Sequence, residues 1–165
     1  MTRPRRRAIH GILVAALGLG GGGCSARDDE GSADRLPQLV LPPLSGDGPA
    51  LRLDALDGPA VVNLWATWCA PCRRELPAFQ EVSEQHPDVA FVGVDVGEDA
   101  ASAQEFLDRL GVTFPQYADG PSALADALGV ASLPVTLVVD TDGRVVTNVG
   151  PMTAETLTAA LAEAS

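Results

Sequence analysis

The stretch Ala60-Val61-Val62-Asn63-Leu64-Trp65-Ala66-Thr67-Trp68-Cys69-Ala70-Pro71-Cys72-Arg73-Arg74-Glu75-Leu76-Pro77 decides how the chain reads. Residues 60–66 form a nearly continuous apolar run after the Gly58-Pro59 breaker, which is the pattern of a central strand buried on both faces. From about Pro71 to His86, Leu76, Phe79 and Val82 fall on one side of a helix, and Pro77 inside it is expected to kink it. The cysteines lie at the join. Cys69 then sits at the helix N-terminus, where unpaired backbone N–H groups and the positive end of the helix dipole favour a thiolate over a thiol. That makes Cys69 the nucleophile. Cys72, one turn further in and more shielded, is within reach for an intramolecular disulfide and suits a resolving thiol. Pro71 has a suitable φ for a helix start and gives up an N–H that had no partner there.

Two other uses of such a pair are weaker. A zinc half-site needs two further ligands, and beyond the cysteines the histidines are only His10 and His86. A purely structural staple would close too short a loop to remove much entropy from the unfolded chain.

Outward from this stretch, Leu39-Val40-Leu41 and Leu51-Arg52-Leu53 flank the turn-rich Ser45 to Pro49 and predict a small hairpin. Val89 to Val96 reads as a second buried strand. Ala101 to Leu110 is an amphipathic helix stopped by Gly111, and Pro121 to Leu128 a shorter one stopped by Gly129. Val135 to Val139 and Arg144 to Val149 flank Asp140-Thr141-Asp142-Gly143, a hairpin signal. Thr153 opens a last helix to about Glu163, with Thr156 rather than Glu three residues on, so no capping box is expected. The order β-β, β-α-β-α, β-β-α implies an α/β domain with a mixed central sheet and helices on both faces.

The N-terminal end has a separate logic. Residues 2–10 are basic, Ile12 to Leu19 is apolar, and Gly20 to Gly23 lead into Cys24, the order of an export signal and too short for a spanning helix of roughly 20 residues. Arg6-Arg7 fits either the twin-arginine or the ordinary export route. The small residues before Cys24 resemble a lipoprotein processing site, with Gly21 where leucine is usual; cleavage after Ala26 is the alternative. Residues 1–23 are thus expected to be a signal peptide of lipoprotein type, 24–35 a tether of small and charged residues, and 36–165 the domain. The literal G-x-G-x-x-G of Gly18, Gly20 and Gly23 lacks a preceding strand and carries no nucleotide site.

The 165 residues, 46% of them hydrophobic, suffice for one sizeable core. Formal charge is −11, from 11 arginines, no lysine and 22 carboxylates, and four of those arginines fall in residues 3–7. Nucleic acid is excluded as a partner on this balance.

On the run Asn63 to Pro77 the chain resembles the extracytoplasmic, membrane-anchored subgroup of thioredoxin-like thiol-disulfide oxidoreductases, the TlpA/ResA type, from about Leu36 onward. The resemblance implies a thioredoxin fold with an N-terminal β-hairpin extension, Cys69 as attacking and Cys72 as resolving thiol, and no cofactor beyond the dithiol. Leu133-Pro134-Val135-Thr136 resembles the family's cis-proline loop, so Leu133 and Pro134 are expected to face the dithiol and offer backbone groups to a substrate strand. Glu75 matches the subgroup's glutamate and, with a raised pKa, would exchange a proton with Cys72; the bland reading is a solvated glutamate paired with arginine. Asn63 stands where cytosolic thioredoxin carries an aspartate. Trp65 is expected in the core and Trp68 beside Cys69 as a substrate contact, with core packing alone as the alternative for both, while Arg73 and Arg74 read as a solvated helix face. The subgroup further implies exported protein thiols or disulfides as substrates, reductant chemistry as in cytochrome c maturation, a membrane electron donor, and a lipid anchor through Cys24 at the outer face of the cytoplasmic membrane. Two rivals are a thiol peroxidase of the same fold, whose P-x-x-x-T/S-x-x-C pattern meets Val62 and Ala66 here, and a non-catalytic lipoprotein binding module with a permanently oxidised pair.

Overall fold

The computed structural model describes residues 34–165 apart from 47, 57 and 98, together with the backbone but not the side chains of 147 and 148; the expected signal peptide and Cys24 lie outside the described residues. The sheet is built around β3 (Ala60–Trp65), every residue of which is buried. Successive side chains alternate between faces, so Val61 and Trp65 join one apolar cluster and Ala60, Val62 and Leu64 the other. Such a strand needs cover on both sides. The first face is covered by α1 (Ala70–Gln85), α2 (Ala100–Leu110) and α4 (Ala154–Glu163), which contribute Leu76, Phe79, Phe106 and Leu157. The short α3 (Ala123–Ala127) and the N-terminal segment cover the second through Leu124, Leu36, Leu41 and Leu53.

β3 pairs in parallel with β4 (Ala90–Asp95) and antiparallel with β6 (Val135–Val139), giving the order β5-β4-β3-β6-β7, with β5 at Gln116–Ala118 and β7 at Val145–Val149. β1 (Val40–Leu41) and β2 (Leu51–Arg52) form the expected antiparallel hairpin. The chain is a thioredoxin-like α/β fold with a mixed five-stranded sheet and a small N-terminal hairpin. Gly143, in the β6–β7 turn, has φ +73°, and Gly111 ends α2 at φ +69°, both left-handed positions that a side chain would strain.

Two expectations need correcting. β5 was not anticipated: three half-buried residues after Pro115 carry no periodicity, and the strand exists because β4 offers it an edge. The helix α1 spans Ala70–Gln85 with Pro77 inside it, close to the expected bounds. A capping box does open α4: Thr156 N donates to Thr153 Oγ1 at 3.2 Å and Thr153 N donates to Thr156 Oγ1 at 2.9 Å, because a hydroxyl oxygen accepts in the place a carboxylate usually takes. The sheet edges are also managed. Ala118 N donates to Pro42 O and Leu44 N to Gln116 O along β5, while Val145 N donates to Asp34 O at the start of β7. Asp34 and Arg35, which the sequence places in the tether, are therefore bound to the domain, and residues 34–44 close part of each exposed edge.

Candidate active site

Strand β3 delivers the chain to the motif, and α1 begins within it. Cys69 is the N-cap of α1 in extended conformation, and its Sγ accepts a hydrogen bond from Cys72 N at 3.2 Å. A sulfur thus occupies the place where Ser, Thr or Asp ordinarily satisfies an orphan amide. Negative charge on that sulfur would be stabilised by the same amide and by the helix dipole, the condition for a low-pKa thiol. Cys69 and Cys72 form a disulfide, with Cα atoms 5.3 Å apart. Pro71 lies in the first turn, where its missing N–H costs nothing. Cys69 retains 3% exposure and Cys72 none, the order expected of attacking and resolving sulfurs. Trp65 is buried, stacked on Phe106 at 5.5 Å between centroids, with its Nε1 donating to Gln116 Oε1 at 2.9 Å. Trp68 is 68% exposed, so core packing does not explain it; a large aromatic stands open to solvent next to Cys69.

One turn past Cys72, Glu75 is only 3% exposed. Its partners are polar but uncharged. Asn63 Nδ2 donates to Glu75 Oε1 at 2.9 Å and Met152 N donates to Oε2 at 3.1 Å, while Asn63 Nδ2 also donates to Thr136 Oγ1 at 3.1 Å. Burial pushes the Glu75 carboxyl up, and the two donated hydrogen bonds offset only part of that rise. The solvated, arginine-paired glutamate of the bland reading is not what the chain forms. Asn63 Oδ1 is buried and has no hydrogen-bond partner among the described residues. Asn63 and Thr136 face each other across the β3–β6 register, so the polar group joins the centre of the sheet to α1 and to the loop before α4.

The peptide bond Leu133–Pro134 is cis. Leu64 pairs with Val135, which puts Pro134 level with Trp65 at the end of the sheet from which the motif emerges. The fold therefore brings Cys69, Cys72, Glu75, Trp68, Leu133 and Pro134 to one end of the molecule. Arg73 and Arg74 are exposed on α1 as expected. Among the described residues no three His, Cys, Asp or Glu side chains group as a metal site.

Sequence reasoning did not find Asn63, Thr136 and Met152 as partners of Glu75. A signal did exist for the first two: each is a lone polar residue inside an apolar strand, and a buried polar group needs a partner. Met152 contributes only its backbone N–H, which no side-chain pattern reveals.

A helix capped by a disulfide-forming cysteine, a cis-proline at the same end of the sheet and a buried carboxyl one turn away define a thioredoxin-like protein with a disulfide-bonded cysteine pair at the start of its first helix. The chain belongs to the AhpC/TSA family, whose model matches residues 33–148. It is similar to the thiol-disulfide oxidoreductase ResA of Geobacillus thermodenitrificans, with 38% identity over 112 residues, 66% of this chain and 63% of that protein. It is also similar to ResA of Bacillus subtilis, with 32% identity over 146 residues, 86% of this chain and 80% of that protein. The matched stretch thus spans a little under two thirds of the Geobacillus relative. Among solved structures, MTB dsbF in its mixed oxidized and reduced forms superposes with a TM-score of 0.72 at 33% identity, covering 78% of this chain and 96% of that one. A secreted Mycobacterium tuberculosis disulfide oxidoreductase, described as homologous to E. coli DsbE, superposes at 0.67 with 25% identity over 76% of this chain and 96% of that one.

Proposed function

We propose that the protein is an extracytoplasmic thiol-disulfide oxidoreductase that exchanges disulfides with exported protein substrates, acting as a reductant. The observation that carries the reading is Cys69 at the N-cap of α1, bonded to Cys72 and accepting the Cys72 amide. In the reduced protein the Cys69 thiolate attacks one sulfur of a client disulfide, forming a mixed disulfide and releasing the other client sulfur as a thiolate. Cys72 then loses its proton and attacks Cys69 Sγ, which closes the protein disulfide and expels the second client thiolate. The client gains two electrons, which the protein loses; of the two protons that convert the client thiolates to thiols, one is released by Cys72 and the other comes from solvent. Glu75 is suited to take the Cys72 proton in the second step, because it is buried one turn away and burial raises its pKa, making it the stronger base. Trp68 and the Leu133-Pro134 backbone are the groups that hold the client strand against the dithiol.

The basic, apolar and small-residue order of residues 2–23 supports export, and lipidation of Cys24 would hold residues 36–165 at the outer face of the cytoplasmic membrane through the tether. A membrane electron donor would return the pair to the dithiol, and exported thiol proteins, apocytochromes c among them, are the client class. Titration against glutathione buffers tests the reading. A reversible two-electron couple between about −270 and −120 mV supports exchange. A pair that stays oxidised below about −300 mV is a structural disulfide and would overturn it in favour of a non-catalytic module.

A further inference from the structure

From residue 34 onward the chain has six arginines against nineteen carboxylates and no lysine. Three of those arginines are held away from the motif: Arg35 and Arg144 form a backbone bridge near the β6–β7 turn, where Arg35 Nη1 donates to Asp142 O, and Arg52 pairs with Asp54 at 2.7 Å. Arg74 lines a different cleft, with Pro71 and Glu75, while Arg73 and Arg109 line a single cleft of about 470 Å³ with Thr67, Phe106 and Leu110, between the start of α1 and the end of α2. Arg73 makes no ion pair with a described carboxylate. Its guanidinium lies 5.8 Å from the Phe106 ring centroid, with Nη2 3.4 Å from Thr67 O. Arg109 has only a 3.5 Å contact to Glu105, and both side chains are largely exposed. Thr67 is two residues before Cys69 and Arg73 four after it, so the cleft opens beside the nucleophile.

We propose that this cleft docks an acidic segment of the client polypeptide lying within a few residues of the client's reacting disulfide. The inference rests on the thiol-disulfide reading above and names the charge of the substrate it selects. An arginine that pairs with no described carboxylate on so acidic a protein is a strong local attraction for one supplied in trans, and the nearby helix N-terminus adds to the positive potential. The acidic remainder of the surface repels an acidic client everywhere else, so the encounter is oriented with the dithiol facing the client. The apolar floor of Phe106 and Leu110 accepts the side-chain stems of that segment.

Two synthetic peptides test this, each with one intramolecular disulfide and differing only in Asp-Asp-Glu against Asn-Asn-Gln beside the first cysteine. The reduced mature protein is mixed with each in single turnover, followed by tryptophan fluorescence. The acidic peptide should react about tenfold faster at low ionic strength, and the acidic-to-neutral ratio should fall towards 1 in 0.5 M salt, where screening is within a few ångströms. The ratio should also approach 1 in the Arg73→Gln/Arg109→Gln double variant, be retained in Arg73→Lys/Arg109→Lys, and rise in Glu105→Gln, which frees Arg109. A wild-type ratio of 1 or less, or a ratio unmoved by the double variant, overturns the proposal while leaving the exchange reading intact. Reaction with neither peptide overturns the exchange reading itself.

Discussion

Helices α1 and α4 begin alike: an extended residue accepts, through its side chain, the amide N–H three residues on. At α1 it is Cys69 Sγ from Cys72, and at α4 it is Thr153 Oγ1 from Thr156, both at 3.2 Å. The Thr153 cap is reciprocated by the Thr156 hydroxyl, so every group there is satisfied by a neutral neighbour. The Cys69 cap is a weak acceptor that becomes a good one only as a thiolate. One site is finished by folding and the other is completed by a change of charge. The two meet at Glu75, since Met152, the residue before the α4 cap, donates its N–H to Glu75 Oε2.

The largest test of this contrast replaces the sulfur. Cys69→Ser gives α1 an ordinary hydroxyl cap, so the fold should persist while disulfide exchange is abolished; Cys72→Ser should instead accumulate mixed disulfides, because attack occurs without resolution. Trapping with a thiol reagent and mass spectrometry reads both, and identical behaviour of the two variants would refute the assignment of roles.

Next comes Glu75→Gln. An amide can neither take the Cys72 proton nor carry charge beside it, so the resolving step should slow by roughly 10²–10⁴ and lose the inflection that Glu75 gives its pH-rate profile. A profile matching wild type in stopped-flow fluorescence would make Glu75 a bystander.

Smaller is the dependence of stability on pH. The Glu75 pKa in the folded chain lies above its ordinary value of 4.5, so between the two values the folded state binds more protons than the unfolded one. Its contribution is therefore fully present below the unfolded pKa and is lost as pH rises through the folded pKa. Denaturant titrations across that window should show this decline in wild type and not in Glu75→Gln; equal pH dependence in both would contradict the buried carboxyl.

The smallest effect is at α4, where Thr153→Ala should cost about 1 kcal/mol of stability, with no change in its pH dependence and exchange rates within about twofold of wild type. A tenfold loss of exchange would mean that the Met152 amide depends on this cap for its aim at Glu75.

Much of this was legible in the chain. The apolar run of β3 followed by Cys69-Ala70-Pro71-Cys72 and the Leu76, Phe79, Val82 spacing place the dithiol at a strand-helix join, because strand and helix periods and the chemistry of a helix N-terminus are local. Glu75 was placed beside the dithiol by its three-residue spacing from Cys72 together with the subgroup's pattern. Trp68 beside Cys69 was legible from adjacency, but its exposure was not. β5 was illegible because three residues have no period, and the α4 box because a hydroxyl at the third position does not advertise itself as a cap.

What the sequence by itself determined is therefore whatever depends on neighbours within a few residues: the order of elements, the cysteine at the helix start and the glutamate one turn on. Only the tertiary structure decided what those groups experience. Glu75 accepts a hydrogen bond from a side-chain amide 12 residues before it and another from the N–H of a residue 77 positions after it. Thr136, 73 positions from Asn63, closes the polar group, and the cis Leu133–Pro134 bond comes level with Trp65 only because β6 pairs antiparallel with β3. Desolvation and hydrogen bonding act through space, and the distances that set them are fixed by sheet register and helix packing rather than by spacing along the chain.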